Sequence, residues 1–105
     1  MQERTVRIET TGRPQGCKLM RISADVKDGI ITFISIRGDF FASPEAGFDA
    51  VEQRMCGSAL RDAGSVFNSL LKEEGVEAFG VSGEGLDQLI AESVKNHARK
   101  SLGDL

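Results

Sequence analysis

The sequence predicts an α+β domain: a three-stranded antiparallel sheet with about three helices packed on one face. Three observations lead there. Alternating, β-branched segments fill the chain from Thr5 to Arg37. An Asp28-Gly29 dipeptide, a favoured tight-turn pair, separates two of them. From Ser43 onward the apolar residues recur instead at helical spacing. Strands first and helices afterwards imply that the two kinds of element segregate into layers.

Thr5–Thr10 alternates and reads as the first strand, with Val6 and Ile8 facing inward. Residues 11–16 form an irregular connector holding two glycines, Pro14 and Arg13. The second strand is expected over Cys17–Val26, with Met20, Ile22, Ala24 and Val26 on one face. After the Asp28-Gly29 turn the third strand runs Ile30–Arg37, antiparallel to the second. Ile30, Thr32, Ile34 and Ile36 should line one face, with Ile31 and Phe33 suggesting cover from both sides at the near end. A Gly38-Asp39-Phe40-Phe41 corner follows. Ser43 and Pro44 then read as the N-cap and first-turn residue of a helix carrying Phe48, Val51 and Met55. Gly57 should stop it, and Ser58 should cap a second helix with Leu60, Ala63, Phe67, Leu70 and Leu71, closed by Gly75. Residues 76–81 read as a connector or brief strand. Ser82-Gly83-Glu84 opens a third helix with Leu86, Leu89, Ile90 and Val94, and the polar tail beyond Lys95 should fray.

The 105 residues fit one small domain, with a core at about 5–95 and a polar tail at 96–105. Apolar residues at 40% and charged residues at 28% belong to a folded chain. A net charge of −3 argues against nonspecific nucleic-acid binding, and the absence of Trp and Tyr argues against a base-stacking platform. No apolar run reaches the ~20 residues of a membrane helix, and the polar N-terminus lacks a signal-peptide core, so a cytoplasmic protein is expected, with no membrane partner. Cys17 and Cys56 fit neither a disulfide framework nor a Cys-x-x-Cys site, and one histidine, His97, supports no metal cluster.

No self-contained catalytic constellation emerges. Asp39 reads first as a turn residue bonding nearby amides, because no second carboxylate, histidine or cysteine supports it as a catalytic or metal-binding group. Of Phe40 and Phe41, adjacent at a strand end, one should point to the core and the other outward. The Arg13–Lys18 loop is a solvated connector or a phosphate cradle, with Gly16 permitting close approach and Lys18 supplying charge. It lacks P-loop spacing. Both cysteines read as buried or inert thiols. Topology adds a juxtaposition: the start of the second strand must lie near the end of the third, so Lys18 falls close to Asp39 and the phenylalanines.

Gly16-Cys17-Lys18-Leu19, the Asp28-Gly29 turn, Ile34 through Phe41, Pro44-Glu45, Glu52 and Gly57 together resemble the accessory, C-terminal domain of lipoate–protein ligases. The likeness spans roughly residues 5–95. The usual pattern reads Gly-Gly-Lys-Leu, and Cys17 stands at its second glycine. The resemblance implies a noncatalytic helper of stand-alone small-subunit length, binding no cofactor alone. Its partner would be a larger catalytic subunit that uses ATP, Mg and lipoate to form lipoyl-adenylate. That subunit then lipoylates acceptor domains, which this chain meets only indirectly. Gly16 and Lys18 become candidate nucleotide-binding residues. Gly38, Asp39, Phe40 and Phe41 become the candidate partner interface. The accessory domain is also similar in fold to iron–sulfur scaffold and sulfur-acceptor proteins, so a scaffold or sulfur-relay role is the alternative. A scaffold site typically uses three cysteines, and this chain has two.

Overall fold

The computed structural model describes the backbone of residues 5–103 and the side chains through Lys95. Strands β1 (Thr5–Gly12), β2 (Met20–Lys27) and β3 (Ile30–Gly38) form an antiparallel sheet in the order β1-β2-β3. Helices α1 (Glu45–Met55), α2 (Ala63–Glu73) and α3 (Gly83–Gly103) cover one face of it. The α+β class is therefore observed. A second, two-stranded sheet pairs β4 (Phe41–Ser43) with β5 (Glu77–Phe79), antiparallel.

The β2–β3 hairpin turns on Asp28 and Gly29, both at positive φ (52° and 81°), as a type I′ turn requires. Met20, Ile22, Ala24 and Val26 are all buried, as their alternation predicts. The expected phase of β3 is only half right. Asp25 lies opposite Phe33, but Val26 lies opposite Ile31, so Thr32 is an extra, bulged residue. Its hydroxyl donates to the Asp25 carbonyl at 3.1 Å. The bulge flips the near end of the strand. Ile31 enters the core, while Ile30 and Thr32 are exposed. Phe33 is not covered either. It lies on the open face of the sheet, under the Arg7 guanidinium at 5.7 Å from the ring centroid. Val6 points to the helical face, but near its rim, and is exposed, unlike buried Ile8.

The free edge of β3 is closed at its near end by the segment after α1. Ile31 N–H donates to the Ser58 carbonyl, and the amides of Gly57 and Leu60 donate to the carbonyls of Ile31 and Gly29. Ser58 therefore runs along a strand edge and does not cap a helix. Leu60–Asp62 makes a separate 3₁₀ turn before α2. Nearer the other end of β3, the Ile36 N–H donates to the buried carboxylate of Glu52 on α1 at 2.8 Å. That carboxylate also takes Arg37 at 2.7 Å.

Helix α1 starts one residue later than expected. Ser43 closes β4, and Pro44, after a cis peptide bond, holds the N-cap position in an extended conformation. Helix α2 ends in a Schellman motif, with Gly75 N–H to the Lys72 carbonyl and Val76 N–H to the Leu71 carbonyl. Helix α3 is capped by Ser82, whose Oγ accepts from Gly85 N–H at 3.1 Å. Its backbone stays helical to Gly103, past the fraying point expected at Lys95. The side chain of His97 lies outside the described residues. Phe67, at the centre of α2, is fully buried and stacks edge-on against Phe48 of α1 at 6.0 Å. Each such buried large apolar side chain contributes about 1.5–3 kcal/mol.

Candidate functional site

The candidate residues converge at the end of the sheet away from the hairpin turn. Strand β2 begins at Met20, so Cys17–Leu19 is an extended lead-in and not the strand itself. Its hydrogen bonds go to two different segments. Lys18 N–H donates to the Gly80 carbonyl at 2.8 Å, and the Leu19 carbonyl accepts from Asp39 N–H at 2.9 Å. The lead-in is thus held between the loop after β5 and the corner after β3. This is the juxtaposition the hairpin topology requires.

Two glycines make the convergence possible. At Gly38, φ is 152° and a Cβ would collide with the Leu19 carbonyl oxygen, so only glycine lets the corner close on the lead-in. At Gly80, φ is 82° and a Cβ would stand 2.5 Å from Lys18 Cγ and 3.5 Å from Phe40 Cβ. The aliphatic stem of Lys18 and the side chain of Phe40 therefore meet over a bare backbone. Lys18 is exposed overall, with only the base of its stem set against Gly80.

The two phenylalanines of the corner divide their roles. Phe40 is half-buried, with its ring 5.6 Å from that of Phe48. Phe41 is 59% exposed and faces Phe79 across the β4–β5 pair, with ring centroids 6.3 Å apart. Phe79 is 65% exposed. Sequence reasoning read residues 76–81 as a connector or brief strand, which β5 bears out for Glu77–Phe79, but did not single out Phe79. The available signal was a large aromatic directly before a glycine in a segment too short to bury it. Asp39 is exposed, and its carboxylate has no hydrogen bond among the described residues. Its expected loop-fixing role belongs to its backbone N–H.

The Arg13–Lys18 loop is more ordered than a solvated connector. Cys17 N–H donates to the Pro14 carbonyl at 3.0 Å, closing a turn with Gly16 at φ 76°. Pro14 is buried and packs with Cys17 over Gly85, at the start of α3. Cys17 Sγ lies 3.6 Å from Ser82 Oγ. Gly16 is exposed with open space around it. The N-terminus of α3 beside it is already occupied from within. Gly83 N–H donates to Asn68 Oδ1 at 2.9 Å, and Gly85 N–H to Ser82 Oγ. Hydrogen bonds from its own backbone N–H and from Asn68 hold the Glu84 carboxyl below its ordinary value. A phosphate at this corner would meet Lys18 and the Gly16 turn, with no open set of helix amides.

Asp87 on α3 turns toward the start of α2, where its Oδ1 accepts Gly64 N–H at 2.8 Å. Desolvation there pushes its carboxyl upward, against the opposing effect of that hydrogen bond. Cys56, expected to be buried or inert, is exposed at the end of α1, with Sγ 3.8 Å from the Glu52 carbonyl. Among the described residues, no three His, Cys, Asp or Glu side chains gather into a metal-holding group. None of the described helices is long and apolar enough to cross a membrane.

No family model matches the chain, and no curated protein matches it. One solved structure is similar, from a structural study of an archaeal lipoylation system in Thermoplasma acidophilum, a bi-partite lipoate protein ligase and its E2 lipoyl domain. The superposition has a TM-score of 0.68 at 24% identity and covers 82% of this chain and 96% of that one. The two chains share a fold.

Proposed function

We propose that this chain is the noncatalytic accessory subunit of a two-part lipoate–protein ligase. It supports ATP-dependent formation of lipoyl-adenylate by a separate catalytic subunit, before lipoyl is transferred to an acceptor lysine. The observation that carries the reading is the packing of Lys18 and Phe40 over Gly80, where the neighbouring Phe41 and Phe79 are exposed. A lysine with its stem seated on Gly80, beside an exposed aromatic pair, suits a subunit that completes another protein's site. The fold shared with a chain from a bi-partite lipoate protein ligase system supports the same reading.

The chemistry asks little more of a helper. Adenylation is a displacement at the α-phosphate of ATP, in which positioning and positive charge dominate. Lys18 offers three donors on a stem held by Gly80, and Gly16 an unobstructed backbone. ATP, Mg and lipoate would bind chiefly to the catalytic subunit. Phe41 and Phe79 would anchor that subunit, and Phe40 would hold the corner beneath them.

Lipoate-dependent exchange of pyrophosphate into ATP tests the proposal, measured with this chain alone, with the catalytic subunit alone and with both. Exchange should require both. Lys18→Ala should lower the rate on the order of 10²-fold while the complex still forms. Exchange by either component alone at the full rate would refute the accessory role. Full exchange by the Lys18→Ala complex would refute the phosphate role of that lysine.

A further inference from the structure

Among the described residues no element covers the face of the sheet away from the helices, and its cross-strand rows differ in chemistry. At the Gly38 end the row is Thr11–Arg21–Arg37, so two arginines stand directly opposite each other on β2 and β3. Like charges in that position destabilise a sheet. Arg37 is partly compensated, because its guanidinium reaches over the strand edge to Glu52. Arg21 is exposed and makes no hydrogen bond or ion pair among the described residues. This pairing occurs in a chain whose net charge is −3, where carboxylates are plentiful. The fold turns Arg37 aside to Glu52 and leaves Arg21 without a countercharge among the described residues.

Next to the arginines the row is Glu9–Ser23–Ser35, and the two serines keep the centre of the sheet low. Arg21 is thus left accessible on a sheet face beside short side chains, an arrangement that suits a complementary charged protein surface. The arginine row also adjoins the Met20–Gly38 pair, where the chain turns into the Asp39–Phe41 corner. It is continuous with the docking surface proposed above.

We infer that the catalytic partner wraps around this end of the sheet onto its open face and sets carboxylate side chains against Arg21 and Arg37. The inference rests on the accessory-subunit reading and adds the chemistry of the partner, an acidic protein surface. The partner's carboxylates supply the countercharge that Arg21 lacks among the described residues. Opposed charges across the interface also speed association and make it salt-dependent.

Arg21→Glu tests this, because its effects on folding and on binding have opposite signs. A carboxylate opposite Arg37 replaces repulsion with attraction, so the melting temperature of the free chain should rise by up to a few degrees. Affinity for the catalytic subunit should fall about tenfold or more at low salt, mainly through slower association. Arg21→Gln should fall between this variant and wild type. Added salt should weaken wild-type binding and close the gap between the two. If wild type and Arg21→Glu bind with the same affinity and the same salt dependence, the arginine shelf is not part of the interface, and the accessory reading survives. If wild type itself forms no complex with the catalytic subunit, the accessory reading fails and this inference fails with it.

Discussion

Replacing Phe41 by alanine should separate association from folding, and the structure sets the size of each effect. The residue is 59% exposed, so about two-fifths of it is already covered in the free chain. Full burial of a phenylalanine contributes about 1.5–3 kcal/mol, so the covered part accounts for about 1 kcal/mol. The tilted contact with Phe79 at 6.3 Å adds about 0.5–1 kcal/mol. Phe41→Ala should therefore lower the unfolding free energy by about 1–2 kcal/mol. Phe40→Ala should cost more, about 2–4 kcal/mol, because that half-buried ring packs on Phe48 at 5.6 Å. In binding the order reverses. A central aromatic anchor is worth about 2 kcal/mol or more to a complex, so Phe41→Ala should raise Kd about thirtyfold. Urea unfolding and a titration with the catalytic subunit, run on both variants, give the comparison. A stability loss of about 4 kcal/mol for Phe41→Ala, or an unchanged Kd, would refute the assignment of Phe41 as the outward residue of the pair.

Further outcomes test the frame around the site. Glu52→Ala should cost about 1–3 kcal/mol in urea unfolding, because it removes the acceptor of the Ile36 edge amide and the partner of Arg37. Gly64→Ala should destabilise by at least about 1–3 kcal/mol, since a Cβ there would run into the Gly83 carbonyl and the Asp87 carboxylate. Asp87 carries a pH signature. Its carboxyl titrates above the ordinary 3.8 in the folded state, so the folded state favours the protonated form. The associated stability is complete below that value and is lost as pH rises through the folded value. Asp87→Asn should then gain on wild type over the acidic range above pH 3.8, as read by melting temperature; a constant difference would refute the shift. Replacing Cys17 and Cys56 together with serine should leave partner-dependent adenylation within a few-fold. Loss of activity with an intact fold, or a stoichiometric cluster after reconstitution, would favour the sulfur-relay alternative.

The sheet and its hairpin were legible because alternation and an Asp-Gly turn act locally. The face of Met20–Val26 follows from period two alone. The flip at Ile31 does not, because a bulge adds one residue to one strand without any change in composition. For α1 and α2 the helix starts were less legible than the ends. Gly57 and Gly75 announce their stops through positive φ, whereas Ser43 and Ser58 are good cap residues that tertiary hydrogen bonding recruits to strand edges. Lys18 could be set near the Gly38 corner from hairpin geometry alone. The β4–β5 pair could not be foreseen, because two three-residue segments from distant parts of the chain carry no periodicity to read.

That short pair explains how a small domain can present a built surface. The hairpin alone brings Lys18 near the corner but leaves its stem free. The loop after β5 adds the second hold, through the Gly80 carbonyl on Lys18 N–H and the bare Gly80 Cα under the stem. The same segment brings Phe79 across from Phe41, so a single short pairing seats both the Lys18 stem and the aromatic face. The two glycines at this end are where the backbone is most constrained, since Gly38 and Gly80 combine positive φ with a crowded neighbour. At the hairpin turn, by contrast, Gly29 has positive φ in open space and serves the turn alone. Local constraint that the fold does not need for its own turns tends to mark function. If so, a side chain at Gly80 should disturb activity beyond its effect on folding. Gly80→Ala displaces the Lys18 stem, so adenylation by the reconstituted pair should fall by about the same factor as for Lys18→Ala. A variant that folds, binds and turns over like wild type would mean that the stem position carries no weight.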